Sequence, residues 1–232
     1  MRILLVHGAG GTPATWDAVL PELRRRGHDV TTVTNPMTSL TDDVAHTTTA
    51  LDALQAPVLL VGHSYGGAVI TNVGRDPRVA GLVYIAAFAP DAGETVQQIV
   101  ERYDPAPVSA HMRRGPDGEW RSERSAAYWA EIGWDLGPEL RAGRIAENRV
   151  ADRKIFEEPT GEPAWRVLPS WYQVADGDAT LLPAAQRDMA ARAGATTSSV
   201  PGSHFSPLVH ADEVCTVIGT AVAELTGVRS GP

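Results

Sequence analysis

Residues 59–67 read Leu59-Leu60-Val61-Gly62-His63-Ser64-Tyr65-Gly66-Gly67, an apolar run followed by a serine set between glycines. A strand that turns abruptly into a helix forces its middle residue, here Ser64, into a strained conformation that lifts the hydroxyl clear of the sheet. Gly62 and Gly66 fit that turn because a Cβ at either place would collide with neighbouring backbone. The G-x-S-x-G string alone suits many turns, so its surroundings matter. Pro57 to Val61 has strand character, and Ala68 to Val73 continues as a buried helix.

Working outward, strand-like and helix-like segments alternate, the pattern of a parallel sheet with helices on both faces. Ile3 to Val6 is short and fully apolar, as a strand covered on both sides should be. Trp16, Val19, Leu20 and Leu23 fall at i, i+3, i+4 and i+7 and predict a helix that Gly27 stops. Asp29 to Thr34 reads as a strand, Thr41 to Leu54 as a helix, and Val58 to Val61 and Val79 to Ala87 as strands. Past Pro90 the character changes: residues 92–165 hold half of the chain's 48 charged residues and cannot be central sheet. Trp120, Trp129, Trp134 and Trp165 lie in this stretch, which reads as a helical cap whose tryptophans line an apolar pocket. Alternation resumes with a strand at Trp171 to Ala175, a helix at Pro183 to Ala193, a strand at Thr196 to Val200 and a terminal helix from about Asp212. The core is therefore expected over 1–91 and 166–232, with the cap at 92–165.

Composition limits the function classes. The 232 residues are 43% hydrophobic, enough for one sizeable core carrying an insertion. A net charge of −8 argues against nucleic acid as a partner, since phosphate binders concentrate Lys and Arg on one face. The single cysteine, Cys215, rules out an internal disulfide and Cys-rich metal spacing and reads as a small core residue. No signal peptide or membrane-spanning stretch is legible, so the expectation is a soluble, cytoplasmic protein without a membrane partner. Oligomeric state is not readable.

A serine hydroxyl needs a base to accept its proton at neutral pH, and histidine is the usual one. Parallel topology brings the carboxyl ends of all strands to the edge that carries Ser64. His204, in the loop after the last strand, fits that position, with His210 as competitor at the entry to the terminal helix. The imidazole in turn needs a carboxylate to fix its tautomer. Ala175-Asp176-Gly177-Asp178 offers two, of which Asp178 is preferred because Asp176 leaves the strand directly and suits the turn with Gly177. Charge developing on a carbonyl oxygen needs preorganised donors, whose loss typically costs ~100 to 1,000-fold in turnover. The backbone N–H groups of Tyr65 and of Ala9, in His7-Gly8-Ala9-Gly10-Gly11, are the candidates, and His7 reads as a loop-fixing residue. That glycine cluster does not make a dinucleotide site: Pro13 stands where a third glycine is needed, and no acidic residue ends the next strand. No cofactor and no metal are expected.

With Val6-His7-Gly8-Ala9, Val61-Gly62-His63-Ser64-Tyr65-Gly66-Gly67, Asp178 and Gly202-Ser203-His204, the chain resembles the α/β-hydrolase superfamily. Ala86-Ala87-Phe88-Ala89-Pro90 and Ser170-Trp171-Tyr172 make it similar to small bacterial esterase-like members, close in layout to plant methylesterases and hydroxynitrile lyases. The resemblance implies a mostly parallel sheet of six strands, a cap inserted after the strand ending near Ala87, and cofactor-free ester hydrolysis. Hydroxynitrile lyases of this type carry a lysine directly after the histidine, where this chain has Phe205, so a cyanohydrin lyase is not expected. The expectation is a serine hydrolase of a carboxylic ester or lactone of a small apolar substrate. The alternative is a biosynthetic elimination or cyclisation at the same site.

Overall fold

The computed structural model describes residues 1–116, 120–146 and 149–227. The chain begins with β1 (Arg2–Val6), α1 (Leu20–Arg25), β2 (Asp29–Val33), α2 (Leu40–Asp52), β3 (Val58–His63), α3 (Gly66–Val73) and β4 (Val79–Ile85). An excursion follows, built of α4 (Val96–Val100), β5 (Met112–Arg114), β6 (Trp120–Ser122), α5 (Ala126–Glu131), α6 (Pro138–Ala146) and α7 (Lys154–Glu157). The last part holds β7 (Ser170–Ala175), α8 (Pro183–Arg192), β8 (Thr196–Val200), α9 (Ser206–Val209) and α10 (Ala211–Thr226).

Six strands form one sheet in the order β2-β1-β3-β4-β7-β8, with every pairing parallel. Successive side chains of a strand point to opposite faces, and both faces here are covered. Leu4, Val6, Leu60, Leu82, Tyr84 and Val174 pack with Leu51, Ala68, Ile70 and Met189 on one side. Ile3, Leu5, Leu59, Val61, Val83 and Trp171 pack with Leu23, Val214, Cys215 and Ile218 on the other. The outer strand β8 runs Thr196-Thr197-Ser198-Ser199 with exposed polar side chains, which suits an unpaired sheet edge.

Two local expectations are corrected. The helix read from Trp16 to Leu23 is split: Pro13–Trp16 forms a 3-10 turn, and α1 starts only at Leu20. Pro21 is the cause, since a residue without an N–H is tolerated in a first turn but not inside a helix. The excursion is not purely helical either, because β5 and β6 pair antiparallel from Met112↔Ser122 to Arg114↔Trp120. Among the described residues, no helix is long and apolar enough to cross a membrane.

Parallel pairing aligns the strand ends that matter. Val6 lies opposite Gly62, His63 opposite Ile85, and Ala175 opposite Val200. The loops after β1, β3, β7 and β8 therefore open on one rim.

Candidate active site

Ser64 sits where β3 becomes α3, with φ 54, a left-handed conformation that costs a non-glycine residue roughly 1–3 kcal/mol. The surroundings enforce it. Its N–H donates to the Ile85 carbonyl at 3.3 Å, and its own carbonyl accepts from Gly67 and Phe88, both at 3.0 Å. Space explains the flanking glycines: a Cβ on Gly62 would lie 2.6 Å from the Gly66 carbonyl oxygen, and one on Gly66 would lie 2.7 Å from that of His7. Gly8, in the loop after β1, faces the serine directly. A Cβ there would stand 2.7 Å from Ser64 Cβ and 3.2 Å from Ser64 Oγ.

Across the rim, His204 follows β8 and is buried. Its Nδ1–H donates to Asp178 Oδ2 at 2.6 Å. The other donors around that carboxylate are the N–H groups of Thr180 (2.7 Å) and Leu181 (2.9 Å) on Oδ1, and Gln186 Nε2 (2.9 Å) on Oδ2. A fully buried carboxylate is tolerable only with its oxygens satisfied in this way. Asp176 goes elsewhere, to a surface ion pair with Arg187. His210 heads α10, 3.6 Å from Glu213.

Around this pair, sequence reading passed over two residues. Gln186 ties Asp178 to the sheet, since its Oε1 also accepts the Ala175 N–H at 3.0 Å and its Nε2 also donates to the Leu181 carbonyl at 2.7 Å. The available signal was a polar residue on the buried face of α8, between Ala185 and Met189. The other is His63, the residue directly before the serine. Its Nε2–H donates to the His204 carbonyl at 2.8 Å, and the two rings lie 4.8 Å apart. Burial pushes the His63 imidazole down to about 3, so it stays neutral.

The loop after β1 is pinned from several sides. His7 Nδ1–H donates to the Gly8 carbonyl at 2.8 Å, while its Nε2 accepts the Asn35 N–H at 3.2 Å, which fixes the neutral tautomer. Burial lowers its basicity further. Arg149 of the excursion donates through its backbone to the Gly10 carbonyl at 3.3 Å and through its guanidinium to the Asn35 carbonyl at 3.0 Å. Ala9 lies in this loop, and Tyr65 precedes the first turn of α3, where helix N–H groups have no partner within the helix.

Of the four excursion tryptophans, Trp129 is buried with Tyr128, Ile132, Leu136 and Leu208, its ring 5.9 Å from that of Phe205. Trp134 is half exposed, its indole N–H directed at the Gly177 carbonyl at 3.4 Å. Trp165 joins the main core and donates to the Pro90 carbonyl at 3.0 Å. The Trp120 side chain lies outside the described residues. Asp135 reaches back from the excursion, accepting the Ser203 N–H at 2.7 Å, one residue before His204. Among the described residues, no three His, Cys, Asp or Glu side chains converge as a metal site requires.

A parallel sheet with a left-handed elbow serine on one loop and a carboxylate-held imidazole on another is the layout of the α/β-hydrolase fold. The chain belongs to the alpha/beta hydrolase family, whose model matches residues 3–217. It is 32% identical over 128 residues to a carbendazim hydrolyzing esterase of Nocardioides sp. (strain SG-4G), a match covering 49% of this chain and 53% of that protein. The chain thus matches about half the length of that relative. Among solved structures, a pyrethroid hydrolase from Sphingobium faniae JZ-2 superposes with a TM-score of 0.80 at 23% identity, over 95% of this chain and 96% of that one. A methylesterase from Arabidopsis superposes at 0.75 with 17% identity, over 96% and 99% respectively. These likenesses carry the fold.

Proposed function

We propose that the protein is a cofactor-free serine hydrolase that cleaves a carboxylic ester or lactone of a small apolar substrate. The observation that carries this reading is the union of a left-handed Ser64 with a His204–Asp178 pair whose backbone is held by His63, the residue next to the serine. Ser64 Oγ attacks the carbonyl carbon as His204 Nε2 takes the hydroxyl proton. Asp178 fixes the tautomer and stabilises the imidazolium. The N–H groups of Ala9 and Tyr65 receive the negative oxygen of the tetrahedral intermediate. Collapse breaks the ester C–O bond, and His204 returns its proton to the departing alcohol. Water then loses a proton to His204 and attacks the acyl carbon; the acyl bond to Ser64 Oγ breaks, His204 returns its proton to that oxygen, and the acid leaves.

Residues 92–165 act as a cap over the core of 1–91 and 166–232 and shape the substrate pocket. The contact of Trp129 with Phe205 and that of Asp135 with Ser203 support this, because both join the cap to the histidine loop. The relatives' names as an esterase and a pyrethroid hydrolase support ester substrates. The test is a series of nitrophenyl esters from acetyl to octanoyl, assayed beside Ser64→Ala. Hydrolysis that Ser64→Ala abolishes is expected, with a preference along the series that measures the acyl pocket. Equal hydrolysis by Ser64→Ala would refute the reading.

A further inference from the structure

Asp43, on α2, is fully buried, and no step of the proposed reaction uses it. A carboxylate taken out of water is costly unless its oxygens are hydrogen-bonded, and an apolar side chain would fill such a place at less expense. Its two partners are informative. Oδ1 accepts the N–H of Met37 at 2.8 Å, and Oδ2 accepts the hydroxyl of Tyr65 at 2.9 Å.

Each partner leads to one half of the oxyanion site. Tyr65 is the residue whose N–H follows the nucleophile; its ring is held at the far end by Asp43 and edge-on by Phe156, with centroids 6.0 Å apart. Met37 is a non-glycine residue at φ 61, a conformation that persists only where its surroundings over-determine it. Its sulfur accepts the Gly10 N–H at 3.2 Å, and its carbonyl accepts the Asp152 N–H at 2.9 Å. Gly10 directly follows Ala9. One buried carboxylate therefore grips the residue that follows Ser64 through one bond, and through Met37 it grips the loop that carries Ala9.

We infer that Asp43 is a positioning residue that sets the spacing between the N–H groups of Ala9 and Tyr65, an inference that rests on the hydrolase reading above. The physical ground is the narrow tolerance of such a site: donors must lie about 2.7–3.1 Å from the developing oxyanion, and a misplacement of about 1 Å can cost about 100-fold. Asp43 does this without touching substrate.

The test uses the full chain and a nitrophenyl ester, with kcat expressed per serine titrated to completion by a fluorophosphonate, so that unfolded protein is not counted. Asp43→Ala is expected to lower kcat about 30-fold with KM within about twofold, because the ground-state carbonyl depends less on the donors than the tetrahedral oxygen does. Asp43→Asn keeps an acceptor for Met37 and sets an N–H against the Tyr65 oxygen, so it restores kcat to within about fivefold. Tyr65→Phe removes one hydroxyl and is expected to lower kcat about five- to tenfold, an effect that disappears in the Asp43→Ala background. Wild-type kcat per titrated serine in Asp43→Ala and Tyr65→Phe, or a loss confined to KM, overturns the inference. If Asp43→Ala does not fold, Tyr65→Phe decides alone by the same criterion. Activity retained by Ser64→Ala overturns the hydrolase reading and this inference together, whereas an inactive Ser64→Ala beside unaffected Asp43 and Tyr65 variants overturns this inference only.

Discussion

The Nε2–H of His63 donates to the carbonyl oxygen of His204 at 2.8 Å, across 141 positions of sequence. It joins the strand end that carries the serine to the loop that carries the imidazole, so the spacing of two separate loops is set by one buried bond. A carbonyl can only accept, which requires the proton on Nε2.

Burial of the His63 ring, not the bond it makes, renders stability pH-dependent. The unfolded chain protonates His63 near its ordinary 6.5, while burial in the folded protein holds it down to about 3. Between those values the unfolded state binds a proton that the folded state refuses. Stability present above pH 6.5 is therefore lost as pH falls toward 3, by up to about 1.4 kcal/mol per pH unit. His7, also lowered by burial, acts in the same direction. Urea unfolding of wild type and His63→Gln at pH 7.5 and 5 measures this, and the variant is expected to show the shallower loss. An identical loss in both would remove His63 as the cause.

The two aspartates of the β7 turn separate cleanly. Asp178→Asn leaves His204 Nδ1 facing the wrong partner and is expected to lower kcat about 10⁴-fold. Asp176→Ala breaks only a surface ion pair with Arg187 and stays within about twofold. Gln186→Leu strips one donor from the Asp178 carboxylate and is expected to cost about tenfold in kcat. Steady-state kinetics on one nitrophenyl ester ranks all three, and a reversed order of the aspartates would contradict the assignment.

Gly8→Ala tests the contact of the β1 loop with the serine. The added methyl would lie 2.7 Å from Ser64 Cβ, so loop or serine must shift, with an expected loss of about 100-fold or more in kcat. Circular dichroism separates this from unfolding; a folded variant with normal turnover would show that the two do not meet in this way.

Asp135→Ala probes the hold of residues 92–165 on the histidine loop. The Ser203 N–H loses its acceptor, at a cost of about 1 kcal/mol. A drop of about fivefold in kcat/KM is expected, with Asp135→Asn intermediate. Unchanged kinetics in both variants would mean that residues 92–165 do not steer His204.

Elements with a strong period were legible in sequence. The apolar strands, the elbow and the polar last strand follow from local chemistry, and so does the place of Ser64 at the elbow, because an apolar strand, the glycine spacing and a buried helix stand together there. Pro21 was visible too, yet apolar spacing outweighed it in reading one helix where two short turns stand. Asp178 was preferred over Asp176 on a local ground, the turn with Gly177, whereas the contacts that hold it, from Gln186 on α8 and His204 after β8, are encoded by no local pattern. His63, Gln186 and Asp43 were missed for the same reason: each is a polar side chain whose partner is remote in sequence. The excursion was the least legible, being short pieces of which some pack together around Trp129 while Trp165 enters the main core.

The central claim is that Ser64 is a nucleophile driven by His204. It is tested most directly by treating folded protein with a fluorophosphonate and locating the adduct by peptide mass spectrometry. One adduct per chain on Ser64 is predicted, absent in Ser64→Ala and formed at least about 100-fold more slowly in His204→Ala. Folded protein that hydrolyses esters while Ser64 stays unmodified, or that labels equally fast without His204, would contradict it.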